Sequence, residues 1–185
     1  METNNQRKTP TVLVPYDFGP KAKTALQEAI KVADFIKGQI YLLSVLQASN
    51  FFTELFNSEK QQREERRHVE NKLKEVILET RKTYHGNIRY IVEHGSPAEV
   101  ILEQAQIRNA QYIIMGKMSS TVSAFHFIGP LTMHIIASAP CPVITVSENS
   151  IENGRFDNIL LPIDLSKQTL EKINAAISWA KYYKS

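Results

Sequence analysis

The strongest constraint on the fold is a repeat: residues 11–38 and 158–185 align without a gap. Leu13, Pro15, Asp17, Ala29, Ile30, Ala33 and Lys37 recur as Leu160, Pro162, Asp164, Ala176, Ile177, Ala180 and Lys184. Each copy reads as an apolar strand, a Pro-x-Asp step and an amphipathic stretch, so the repeating unit is a β-α pair. The second copy carries only its first strand and first helix. Residues 1–147 are therefore expected to form one complete domain and 148–157 a polar linker. Residues 158–185 are expected to open a second, incomplete domain.

Between the copies the chain alternates regularly. TVLVPYDF (11–18) reads as a strand, with Pro15 at its end because an interior proline would cost a ladder hydrogen bond. Ala22, Ala25, Leu26, Ala29, Ile30, Ala33 and Ile36 recur at helical spacing, and Gly38 is the expected stop. IYLLSVLQ (40–47) is a second strand. Val69, Leu73, Val76, Ile77 and Tyr84 stripe a charged segment, which predicts a long surface helix ending near Gly86. Phe51, Phe52, Leu55 and Phe56 precede it and either pack beneath it, the expected reading, or form an exposed surface for a partner. IRYIVEHG (88–95) is a third strand, followed by a helix with Ser96 as N-cap and Pro97 at its first position. QYIIMG (111–116) is a fourth strand, a helix carrying Phe125, Ile128, Ile135 and Ile136 follows, and CPVITV (141–146) is a fifth. Five strands alternating with helices predict an open parallel sheet, order 3-2-1-4-5, with helices on both faces.

Composition narrows function by exclusion. Net charge is +3, from 22 basic and 19 acidic residues, and no basic cluster stands free of acids. Nucleic acid is not an expected partner. The N-terminus has no apolar signal core and no run is long enough to span a membrane, so a cytoplasmic protein is expected. Cys141 is the single cysteine, which excludes an intrachain disulfide; between Pro140 and Pro142 it reads as an inert core thiol. His126 and His134 lie two helical turns apart, too far to share a metal. No metal is expected.

Ligands of open parallel sheets bind beyond the carboxyl ends of the strands. Asp17 follows the first strand there, and Gly116-Lys117-Met118-Ser119-Ser120-Thr121 follows the fourth. Gly116 either lets the backbone approach a phosphate at a helix N-terminus, or only makes the turn before a helix capped by Ser120, Thr121 or Ser123. The segment fits neither a P-loop nor a GxGxxG pattern.

Pro15-x-Asp17, Gly95-x-Pro97, YIIMG before a helix, and Ala139-Pro140-Cys141-Pro142-Val143 together resemble the universal stress protein (UspA-like) family. The likeness covers the first domain and resumes at Asn158, as in tandem members. It implies an adenine-nucleotide alpha-hydrolase-like fold, a non-enzymatic stress-response role, and a site for ATP or another adenine nucleotide. The residues so implied are Pro15, Tyr16, Asp17, Val45, Met115, Gly116, Lys117, Ser119, Ser120, Gly129, Pro130 and Leu131. The family's G-x-x-G, nine residues, then G-S or G-T is altered here: Gly116 and Gly129 match, while Ser119 and Pro130 replace a glycine and a hydroxyl residue. Ser119 adds bulk where backbone would meet phosphate, and Pro130 removes an N–H and a hydroxyl. The site is therefore read as degenerate, the alternative being a protein-interaction module that has lost nucleotide binding. The resemblance also implies a homodimer through strand 141–146, and the apolar residues of 158–185, with no sheet of their own to cover, make that segment a second expected docking surface.

Overall fold

The computed structural model describes residues 9–47, 59–117, 129–147, 158–162 and 169–183. The chain divides into two compact units, Met1–Glu148 and Asn149–Ser185. In the first, strands β1 (Thr11–Pro15), β2 (Gln39–Leu46), β3 (Ile88–His94), β4 (Tyr112–Gly116) and β5 (Val143–Val146) form one parallel sheet, in the order 3-2-1-4-5. Helices α1 (Pro20–Ile36), α2 (Glu59–Thr80), α3 (Pro97–Ile107) and α4 (Pro130–Ser138) connect them. Right-handed crossovers carry α1 and α2 to one face and α3 and α4 to the other.

The strands are short and apolar because both faces of the sheet are covered. Leu13, Leu43, Ile113 and Met115 project into a core completed by Val100, Ile101 and Ala105 of α3 and Ile135 of α4. Val12, Val14, Ile40 and Leu42 alternate with them along the strands and are equally buried. Helix α1 packs across β1, β2, β4 and β5. Its buried face is rich in alanine (Ala22, Ala25, Ala29, Ala33), so it sits close to the sheet.

Pairing is uneven. Strand β2 matches β3 at seven positions and β1 at five, whereas β1 and β4 pair only at Val12↔Tyr112 and Leu13↔Ile113. Pro15 explains the early end. The Tyr16 N–H donates to the Leu43 carbonyl on β2 at 2.8 Å, so by alternation the nitrogen of Pro15 faces β4. Proline has no hydrogen to give there. The two central strands part beyond Leu13, and a crevice opens between their carboxyl ends.

Four local expectations change. Helix α1 ends on Lys37, which takes the left-handed conformation (φ 53°, ψ 43°), not on Gly38. Gly38 donates to the Ala33 carbonyl at 2.8 Å and passes so close to Pro10 that a Cβ would lie 2.7 Å from its carbonyl oxygen. Helix α2 stops at Thr80, short of Gly86, and Tyr84 is buried beyond its end. Leu73 and Ile77 carry the buried stripe, with Val69 and Val76 half-buried. Ser96 stands at the N-cap of α3, but its hydroxyl makes no capping bond. Cys141 lies two residues before β5, not within it. Phe51, Phe52, Leu55, Phe56, Phe125, His126 and Ile128 lie outside the described residues.

In the second unit, α5 (Thr169–Tyr183) forms over the repeated amphipathic stretch, and Trp179 stacks on Tyr183 with centroids 5.8 Å apart. Residues 158–162 take no strand conformation. An apolar strand is stable only with a hydrogen-bonding neighbour, and this short unit supplies none among its described residues.

Candidate functional site

The crevice at the switch point holds a cavity of about 240 Å³. Three strands and three helices line it. Strand β1 and the turn after it give Pro15, Tyr16 and Asp17; β2 gives Leu43, Ser44 and Val45, with Gln47 just beyond; β4 gives Met115 and Gly116. Lys21 and Ala22 of α1, Pro97 and Ile101 of α3, and Leu131 of α4 complete the wall.

The Asp17 turn is held in a set shape. One carboxylate oxygen, Oδ1, accepts the Gly19 N–H at 2.9 Å, forming an Asx turn. Phe18 between them has a φ of 68°, which is uncommon for a bulky side chain. Its ring is secured edge-on against Tyr16, centroids 5.4 Å apart, with the Lys72 ammonium 5.7 Å from its centroid. Asp17 itself is exposed to the crevice. Tyr16 is buried; burial, and then the Asp17 charge, push its hydroxyl above the usual phenol range. It is a neutral hydrogen-bonding group at any physiological pH.

Three helices begin at this cavity, and they begin alike. Each of α1, α3 and α4 has a proline at its first turn (Pro20, Pro97, Pro130) and none has a side-chain cap. Helix N-termini collect free N–H groups and a partial positive charge. A proline in the first position lowers the number of donors without ending the helix.

Seven of the twelve residues expected from the sequence meet at the cavity: Pro15, Tyr16, Asp17, Val45, Met115, Gly116 and Leu131. Lys117 does not line it; its backbone N–H is taken by the Val146 carbonyl at 2.7 Å, which extends β4–β5 pairing past Gly116. Gly129 and Pro130 form the N-cap and first position of α4 without lining the cavity. Ser119 and Ser120 lie outside the described residues. Gly116 has a packing reason to be glycine: a Cβ there would lie 2.5 Å from Lys21 Cβ and 2.9 Å from the Lys21 backbone. Lys21, Ala22, Leu43, Ser44, Gln47, Pro97 and Ile101 were not expected. The first-turn residues Lys21 and Pro97 carry a usable signal, since the helices following β1 and β3 must start beside the carboxyl ends of those strands.

Fold and cavity together define an open, doubly wound α/β domain with a ligand-sized crevice at its switch point. Residues 8–147 match the universal stress protein family, and the chain belongs to it. One relative, universal stress protein MJ0531 of Methanocaldococcus jannaschii, is 24% identical over 156 residues, spanning 78% of this chain and 86% of the relative. The solved structure of UspA from Lactobacillus plantarum has a TM-score of 0.63 at 24% identity, covering 77% of this chain and 99% of that one. A family member from Arabidopsis thaliana, solved with AMP bound, has a TM-score of 0.52 at 17% identity, covering 76% and 93%.

Proposed function

We propose that this chain is a non-enzymatic stress-response protein that binds an adenine nucleotide or related small ligand in the crevice between β1 and β4. The observation that carries the reading is the convergence of Asp17, from the β1 exit, with Val45, Met115, Gly116 and Leu131 around one cavity. The apolar members suit the faces of a base, and the exposed carboxylate suits a pair of sugar hydroxyls. The relative solved with AMP supports the ligand class. Among the described residues, no group of three or more His, Cys, Asp or Glu could hold a metal ion.

Pro130 favours a second reading, an interaction module that no longer binds nucleotide, because it removes a donor at the start of α4. Mass spectrometry of small molecules released from the gently purified chain separates the two. An adenine nucleotide or nucleoside in stoichiometric amount is the expected result. None released, together with no calorimetric signal for adenosine, AMP or ATP, would leave the interaction reading.

The reading extends to assembly. Strand β5 is an edge strand, and its unpaired backbone groups are a ready surface for a second copy. We take residues 158–185 as a second copy of the family's opening strand and helix, because they repeat residues 11–38. Light scattering should return at least a dimer for the intact chain.

A further inference from the structure

We propose that β3 is an association surface in its own right, on which a second copy of this chain adds its own β3 antiparallel to form one continuous sheet. The surface lies at the opposite edge of the sheet from β5. It is independent of the ligand and of pairing through β5.

Three observations carry it. The first is an open edge. Among the described residues, β3 pairs with β2 alone. The Asn87 carbonyl accepts from the Ile40 N–H at 2.9 Å, and the Gly95 N–H donates to the Leu46 carbonyl at 3.0 Å. The odd-numbered residues between them therefore turn their backbone groups toward β2. The N–H and C=O groups of Ile88, Tyr90, Val92 and His94 face outward, along the longer of the two edge strands.

The second is that the strand is complementary to itself. A twofold axis at Ile91 sets Tyr90 opposite the partner's Val92 and Ile88 opposite the partner's His94. These residues face outward, so each such pair can exchange two backbone hydrogen bonds. The same register sets Arg89 opposite the partner's Glu93, and Glu93 opposite the partner's Arg89. Both lie on the face that Ile91 shares with α3, at the non-hydrogen-bonded positions where opposed side chains stand closest. Among the described residues neither has an ion-pair partner, and the Arg89 guanidinium donates to the Tyr41 hydroxyl at 3.4 Å. Charges on an edge strand usually guard it against other chains. These two are of opposite sign at symmetric positions, so they do not guard it against a second copy. Sliding the register by two residues either way sets one of them against the partner's Ile91.

The third is the flank beside the edge. Helix α2 places Lys72 at Phe18, beyond β1, and Lys74 over the Tyr90 ring of β3, 6.0 Å from its centroid. The Lys74 side of α2 is thus the side nearest the open edge. Leu78, one turn on from Lys74, is 64% exposed there. A second copy paired along β3 would bring its own α2 toward this apolar side chain.

The test is light scattering of the full chain over a range of concentrations. The chains compared are the wild type, Arg89→Glu, Glu93→Arg and the variant with both changes, each first shown by a thermal melt to be folded. The wild type should associate reversibly. Either single change sets like charges opposite one another at both positions. It should lower the mean mass at a given concentration, the dissociation constant of the β3 contact rising about tenfold or more. The doubly changed chain, and an equimolar mixture of the two single variants, restore opposite charges at both positions and should recover the mass. A wild type that is monomeric at every concentration would overturn the proposal, and pairing through β5 with it. Association unmoved by either single change would overturn the proposal and leave the β5 surface standing. Loss in the single variants without recovery in the double variant and the mixture would also overturn it, because the two charges would then act within one chain.

Discussion

Gly116→Ala probes whether this glycine serves a ligand or the fold. The added Cβ would lie 2.5 Å from Lys21 Cβ and 2.9 Å from both the carbonyl carbon and oxygen of Lys21. Carbon atoms in contact prefer about 3.5–4.0 Å, so the start of α1 must withdraw by roughly 1 Å. Two of the three obstructing atoms are backbone, so a rotamer change cannot relieve the contact. Overpacking of this kind costs about 1–3 kcal/mol. Gly116 has no left-handed φ, so alanine also recovers about 0.4–1 kcal/mol from the unfolded chain. The net expectation is a loss of about 1–2 kcal/mol, read as a lower urea midpoint with an unchanged slope. It should be accompanied by a fall in melting temperature of roughly 3–8 °C. The measurement is made without ligand. A variant as stable as the wild type would refute the packing account and return Gly116 to a purely ligand-facing role.

Three further predictions concern stability. Lys37→Gly should stabilise by about 0.5–1 kcal/mol, because glycine takes the left-handed cap of α1 without a Cβ penalty; a lower melting temperature would contradict this. Thr132 is fully buried and its hydroxyl has no hydrogen-bond partner among the described residues, so Thr132→Val should be neutral or stabilising by about 1 kcal/mol in thermal denaturation. The Cys141 thiol is pushed up to about 11 by burial, against an ordinary value of 9.0, partly offset by a hydrogen bond with the Ile113 backbone. The folded state thus holds this proton more tightly than the unfolded chain does. Its contribution to stability is full below pH 9 and is lost as pH rises from about 9 to about 11. Cys141→Ala should flatten the decline across that window, and alkylation of the native thiol at pH 8 should lag far behind that of the denatured chain.

The sheet order was legible because the apolar runs are short, separated and of one kind, and a doubly wound sheet is what such an alternation can form. The exits of β1 and β4 were legible for the same reason, and with them Pro15, Tyr16, Asp17, Met115 and Gly116. For Lys117 the side-chain charge is visible in a sequence, whereas the use of its N–H by Val146 is decided by how far β5 runs. Lys37 was illegible: nothing in a lysine announces a left-handed cap, while the neighbouring Gly38 draws the eye for a feature it owes to Pro10. Ala22, Leu43, Ser44 and Ile101 reach the cavity only through the packing of helices on the sheet, which no local pattern encodes.

The scant pairing of β1 with β4 also gives the domain a seam. On one side lie β3, β2 and β1, joined at seven and five positions; on the other lie β4 and β5, joined at four. Two strands alone are not independently stable, so the smaller side depends on what bridges the join. Helix α1 does so, packing across β1, β2, β4 and β5. A loosening of α1 would therefore release the β4–β5 edge as one cooperative unit, below the cost of global unfolding, and amide exchange there would report on the helix more than on the strands themselves. The same missing hydrogen at Pro15 that opens a crevice for a ligand sets the line along which the domain first comes apart.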